Sequence, residues 1–289
     1  MNMEKFPKVF IVVLNYNGKD CLSKTLSGVF KTDYPNSEII LADNNSTDGS
    51  FEAAKINFSK IIFIKNSQNL GFSAGNNVGI KYALERGADY ILLLNYDVET
   101  ERGFLAPLVE AMKKNKNIGI GSPVILEADK KTVWFSGGKI NWLAMKTAHK
   151  KNNIAQNYFG SDYISGCAML IRKEVFKKIG LLDEDYFLYY EDADFSARAK
   201  KAGYKLLVSP KSRIVHLEKS ELKKESKIYW LVVSGLIFFR KNTPLLLKPY
   251  IFAYIFLRKL KNKLDLKFRK NNLAPIIQKA YKDFKNEKL

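Results

Sequence analysis

Four short apolar runs, three of them ended by an amide or an acid, constrain this chain more than any other feature. Residues 9–14 (VFIVVL) stop at Asn15, residues 38–42 (EIILA) at Asp43, and residues 90–94 (YILLL) at Asn95-Tyr96-Asp97. Residues 61–64 form the remaining run. Runs this short and this apolar read as strands covered on both faces. Helical patterns follow the first three: Leu22, Leu26 and Val29 recur at helical spacing, then come residues 51–56 and 75–85. The fourth run leads into residues 101–114, with Phe104, Leu105, Leu108 and Met112 on one face. Strand alternating with helix predicts an α/β fold with an open, mainly parallel sheet. Ligands bind such sheets beyond the carboxyl ends of the strands. Asn15, Asp43 and Asp97, far apart in sequence, are therefore expected along one edge.

The next third is less regular. Residues 118–124 predict a fifth strand, 133–139 an irregular hairpin and 146–158 a polar loop. An apolar stretch, 165–171, precedes a short helix at 173–179 that Gly180 ends. Short strands are expected at 205–209 and 213–215, closing at His216. Between them stands Phe187-Leu188-Tyr189-Tyr190-Glu191-Asp192-Ala193-Asp194-Phe195, then a helical pattern that Gly203 stops. Acids near a helix start favour its positive end, which accounts for one or two of the three. A crowded acidic cluster behind a large apolar surface instead suits a general base on a pocket floor.

Charge divides the chain. Residues 219–289 hold 18 Lys and Arg against 5 Asp and Glu, net +13, while residues 1–218 hold 30 against 24, net +6. The chain is expected to form one domain over 1–218 and a helical, basic, aromatic-rich appendage over 219–289. Residues 228–239 and 245–260 read as apolar helices, the second interrupted at Lys248-Pro249. Each falls short of the ~20 apolar residues of a membrane span. Beside Arg258, Lys259, Lys261, Lys263, Lys267, Arg269 and Lys270, they suit a helix lying on an anionic membrane surface. A helical cap with a solvated basic face is the other reading. The basic residues flank apolar helices rather than a stacking platform, which argues against nucleic acid as the partner. Cys21 and Cys167 are too few for a disulfide framework. Residues 1–8 are polar and predict no secretion signal, so the chain is expected in the cytoplasm, peripheral to the inner face of the membrane.

Several motifs carry chemistry. Asp43, before Asn44-Asn45-Ser46, suits a base or ribose contact, or an Asx turn. Gly49 comes one place late for a calcium loop, and Ala54 stands where its bidentate acid belongs. Asn69-Leu70-Gly71-Phe72-Ser73-Ala74-Gly75-Asn76-Asn77 opens a helix whose amides can meet an anion, or simply caps it. It has the spacing of neither a dinucleotide fingerprint nor a P-loop. Asp97 suits a divalent cation bridging a diphosphate, Mg²⁺ or Mn²⁺. His216 completes that shell or is a satisfied core histidine; His149 has no assigned role.

Together with Gly166-Cys167-Ala168-Met169-Leu170-Ile171-Arg172, these motifs, in this order, resemble family-two glycosyltransferases of the GT-A fold, in particular the rhamnosyltransferase-like branch. The resemblance runs from about Val9 to His216. It implies inverting transfer from a nucleotide-diphosphate sugar, dTDP-rhamnose or a UDP-sugar, to a glycan or lipid-linked acceptor of surface polysaccharide synthesis. It implies catalysis at Asp192, with Glu191 beside it, and a divalent metal at Asp97 and His216. Asn15, Asp43, Asn45, Gly71, Asn76, Asn77 and Asn95 would serve the donor; Gly166, Trp134 and Asp194 the acceptor side. Asn95 replaces the first acid of the family's Asp-x-Asp element, and Tyr96 stands where proline is usual. The rival enzyme, a sugar nucleotidyltransferase, needs a basic glycine-rich loop, which Asn15-Tyr16-Asn17-Gly18 does not supply. A basic nucleic-acid- or lipid-binding protein is the rival outside enzymes.

Overall fold

The computed structural model describes residues 6–151, 159–217 and 223–286. Strand and helix alternate first: β1 (Val9–Asn15), α1 (Leu22–Phe30), β2 (Ser37–Asp43), α2 (Ser50–Asn57), β3 (Ile62–Lys65), α3 (Gly71–Glu85) and β4 (Tyr90–Asn95). β1 lies parallel to both β2 and β4, and β2 is parallel to β3. Register pairs Asn15 with Asp43, and Leu14 with Asn95. The polar strand ends thus share one edge, as the alternation predicts. Every residue of β1 is buried, and its side chains make the centre of the core. Each such aliphatic side chain contributes ~1.5–3 kcal/mol on burial.

The sheet then changes character. β5 (Val98–Thr100), α4 (Leu105–Lys114), β6 (Ile118–Leu126), β7 (Val133–Phe135), β8 (Gly138–Asn141), β9 (Lys146–His149), β10 (Phe159–Gly160) and β11 (Ala168–Arg172) follow. α5 (Lys173–Ile179), α6 (Glu191–Lys201) and β12 (Lys205–His216) complete the sheet region. The main path runs β10-β12-β6-β11-β4-β1-β2-β3. β11 is antiparallel to both β4 and β6 and joins two parallel blocks. The two strands expected at 205–209 and 213–215 are one, β12, with a register shift between Ser209 and Arg213. β5 intervenes before α4, so that helix starts four residues later than its apolar pattern suggests. The expected loop at 146–158 contains β9, paired with β8; residues 152–158 lie outside the described residues.

Three helices end the chain: α7 (Lys224–Asn242), α8 (Lys248–Lys267) and α9 (Ala274–Asn286). Pro249 does not interrupt α8 but sits in its first turn, where a missing N–H costs no hydrogen bond. α7 joins the sheet's own core through Val233, Ile237, Phe238 and Phe239. α8 buries only Ile251, Asn262 and Asp265. The boundary expected at 218/219 lies outside the described residues. Among the described residues, no helix is long and apolar enough to cross a membrane.

Candidate active site

The β1 and β2 ends form a closed polar cluster. Asn15 Nδ2 donates to Asp43 Oδ1 at 2.7 Å and lies within 3.0 Å of the Ser46 and Ser50 hydroxyls. Ser46 donates to Asp43 through both its N–H and its Oγ. Asp43 is fully buried behind these groups, whereas Asn45, with φ 60°, is exposed. Asn17 and Asp48 tie the two loops together, accepting from the N–H groups of Thr47 and Lys19.

Beyond β4 the chain turns through Asn95, Tyr96 and Asp97. Asp97 Oδ2 lies 3.2 Å from His216 Nε2, at the end of β12. Both side chains are buried, and Asp97 Oδ1 and His216 Nδ1 have no hydrogen-bond partner. A buried carboxylate and an imidazole facing each other, Oδ2 to Nε2, are the kind of donor pair that Mn²⁺ or Mg²⁺ accepts. Among the described residues no third His, Cys, Asp or Glu joins them. Trp134 lies against this pair, its ring 4.5 Å from His216 and 4.3 Å from His149. Burial pushes His149 down to about 4, so it is neutral at physiological pH. β9 places it there, which the polar look of 146–158 conceals.

The acidic cluster is built differently. α6 begins at Glu191 itself, so the acids form its first turn rather than precede it. Tyr189 and Tyr190 both hold left-handed backbone, at φ 69° and 67°. Such conformations cost non-glycine residues ~1–3 kcal/mol each and persist only where the surroundings impose them. α7 imposes them here. Ser234 Oγ donates to Leu188 O at 2.7 Å, the Tyr190 ring packs on Phe238 and Phe239, and Trp230 stacks on Phe187 at 4.4 Å.

The bend delivers Asp192, which retains partial exposure, to two backbone donors. Gly166 N–H reaches Oδ2 at 2.9 Å and Ala193 N–H reaches Oδ1 at 2.7 Å. Those donors favour the ionised form, but burial outweighs them and raises the carboxyl to about 6. Glu191 is buried with Oε2 unpartnered; burial, then Asp192, hold it well above the carboxylate range. Burial thus raises both carboxyls, and Asp192 alone has N–H donors of Gly166 and Ala193 that oppose the shift. Gly166 has a positioning task toward Asp192, and the Phe72 ring occupies the space a side chain there would need. Cys167 joins the two halves: its carbonyl accepts from Asn95 N–H, and its buried thiol is pushed up further by Asp97 and Asp192.

The remaining expected residues lie around this frame. Gly71, at φ 76°, passes so close to Phe187 O that no side chain fits. Asn76 donates to Phe72 O and leaves a buried, unpartnered Oδ1. Asn77 instead clamps the 182–184 segment, donating to Leu182 O and Glu184 Oε1 and accepting from Leu182 N–H. Asp194 accepts from Arg198, Tyr186 and Asn242, and so straps α6 to α7. Thr147 of β9, hydrogen-bonded to Tyr163 and Tyr190, carries no sequence signal of its own.

Residues 10–180 match the family model described as Glycosyl transferase family 2. The chain is 26% identical over 231 residues to an N-acetylglucosaminyl-diphospho-decaprenol L-rhamnosyltransferase of Mycobacterium tuberculosis, covering 71% of this chain and 75% of that one. It is 25% identical over 261 residues to a dTDP-rhamnosyl transferase of Shigella flexneri, covering 86% of each. Among solved structures, a mannosyltransferase from Pyrobaculum calidifontis in complex with GDP-Man and Mn²⁺ superposes with TM-score 0.62 at 14% identity, over 99% of this chain and 77% of that one. The fold is that of the GT-A glycosyltransferases.

Proposed function

Because this chain belongs to glycosyltransferase family two and is a glycosyltransferase, we propose that it transfers a sugar with inversion, from dTDP-rhamnose or a UDP-sugar, to a hydroxyl of a glycan or lipid-linked glycan in surface polysaccharide synthesis. The observation that carries the reading is Asp192, half-buried at the start of α6, held by two N–H donors and poised near neutrality. The names of the mycobacterial and Shigella relatives support a rhamnosyl donor, and the first of them a lipid-linked acceptor. The acceptor oxygen attacks the anomeric carbon, its proton passes to Asp192, and the bond to the diphosphate oxygen breaks as the nucleoside diphosphate leaves. Such a base is worth ~10²- to 10⁴-fold in rate. Asp97 and His216 would hold Mg²⁺ or Mn²⁺, which supplies positive charge to the departing diphosphate. Asn45 and Asn76 offer amide groups toward the donor.

The same reading places the enzyme on the cytoplasmic face of an anionic membrane. α8 exposes Phe252 by 65% and Phe256 by 67%, with Leu257, Leu260 and Leu264 also exposed, beside Arg258, Lys259, Lys261, Lys263 and Lys267. Apolar and basic side chains on one uncovered helix complement the chemistry of such a surface.

Asp192→Asn tests the assignment. Calorimetry should give an unchanged nucleotide dissociation constant, and kcat should fall ~10²- to 10⁴-fold. Turnover near wild type would end the reading. In the wild type, kcat/KM should rise with pH through about 6, where Asp192 loses its proton. A profile flat from pH 5 to 8 would contradict a base with that setting.

A further inference from the structure

A cavity of about 590 Å³ lies between the ends of α6 and α7, the start of α8 and the β8–β9 hairpin. It is separate from the site above. Asp192 and Lys201 are nine residues apart on α6, which is ~2.5 turns and puts them on opposite faces of the helix.

Its lining is basic: Lys200, Lys201, Lys241 and Lys248, against one acid, Asp162. Lys200 meets Asp162 only at 3.3 Å, and Lys241 is paired with Asp183 and Asp185. Lys201 and Lys248 have no ion-pair partner among the described residues. Thr243 lines the same space at 5% exposure, with its hydroxyl unpartnered. Lys248 opens α8, whose first turn has neither a capping side chain nor an acid. Two ammonium groups without an ion-pair partner, and Thr243 with its spare hydroxyl, therefore line this space where a 20-residue helix begins, and Asp162 is the one acid of the lining.

The surroundings distinguish a lipid from a small soluble anion. Trp142 and Leu245 form apolar walls of the cavity, and Leu245 and Leu246 stand 77% and 93% exposed at the foot of α8. The basic space thus opens beside apolar surface continuous along the chain with the uncovered face of α8. We infer that this cavity binds the phosphate headgroup of an anionic membrane lipid, with the acyl chains lying over Leu245, Leu246 and α8. The inference rests on the proposal that α8 lies on a membrane, and gives that contact a specific site.

Dihexanoyl phosphatidylglycerol, kept below its micelle concentration, tests the site without a bilayer. Calorimetry on the full chain should show saturable binding. Lys201→Ala with Lys248→Ala should weaken it at least ~10-fold, at about one lysine's worth of anionic attraction each. Lys60→Ala with Lys81→Ala removes equal charge from exposed positions outside the cavity and should change it less than ~2-fold. Thermal midpoints of both variants confirm folding. Equal losses in the two variants, or no saturable binding by folded wild type, would overturn the inference. Inorganic phosphate bound as tightly as the lipid would reassign the cavity to a free anion and overturn the lipid source. Vesicle sedimentation is read separately. Wild-type binding to phosphatidylglycerol vesicles that survives loss of Lys201 and Lys248 would sink the site and leave the membrane proposal standing. Short-chain lipid bound without vesicle binding would do the reverse.

Discussion

α7 and α8 read alike and end in opposite surroundings. Each runs about as long as the other, carries aromatic residues through its middle and holds basic residues toward its end. α7 buries Val233 and every residue from Leu236 to Phe239; α8 buries none of its phenylalanines. The difference lies in what each helix meets. α7 lands on the aromatic bend at 187–190, which needs cover, and Ser234 and Asn242 supply the polar contacts of that joint. α8 meets α9 through Asn262 and the hairpin through Tyr250, and reaches the core through Ile251 and Ile255. Composition says that a helix has apolar surface; the uncovered surface left by other elements decides which helix is covered. A large apolar face that remains exposed points to a partner outside the chain.

The strongest way to break this comparison is Phe238→Ala. Phe238 is fully buried against Trp142, Tyr190 and Phe239. Its loss should cost ~3–5 kcal/mol in urea unfolding. The corresponding change in α8, Phe256→Ala, should stay within ~0.5 kcal/mol, as for an exposed position. Equal costs would mean that α8 is as much a part of the core as α7.

A smaller effect sharpens what α7 does. Ser234→Ala removes the hydroxyl donated to Leu188 O, one residue before the left-handed pair. A net loss of ~1 kcal/mol of stability is expected. If α7 positions Asp192 through that bend, kcat should fall while the nucleotide dissociation constant holds. The pH at which kcat/KM rises should also shift, because the surroundings of the Asp192 carboxyl change. A stability loss with kinetics and pH profile intact would reduce α7 to a cover.

The two halves of the site were unequally legible in the sequence for the same reason. Asn15, Asp43 and Asp97 stand at or just past the ends of apolar runs, and parallel register alone carries them to one edge. Asp192 was legible because an acid cluster behind four apolar and aromatic residues is unusual. The geometry that makes it a base was not. The Gly166 N–H comes from the segment before β11, and Tyr189 and Tyr190 are typical β formers held left-handed by Ser234, Phe238 and Phe239, more than 40 residues on. Lys146 to His149 reads as loop because neither face of its alternation, Lys146 with Ala148 or Thr147 with His149, is apolar. Only pairing with β8 reveals it as a strand. Local pattern reports local geometry; tertiary contacts that override propensity leave little trace in it.

The smallest expected effect on folding carries the most about α8. Phe252→Ser with Phe256→Ser replaces two side chains that are 65% and 67% exposed. Unfolding free energy should move by no more than ~0.5 kcal/mol per site. If those rings enter a bilayer interface, each loses burial worth ~1.5–3 kcal/mol, so sedimentation with phosphatidylglycerol vesicles should fall well beyond ~10-fold. Vesicle binding unchanged in a protein of unchanged stability would show that the exposed stripe of α8 faces water, and that the basic residues beside it act alone. A large loss of stability would instead mean that α8 is covered in solution by something within the chain, and the contrast with α7 would dissolve.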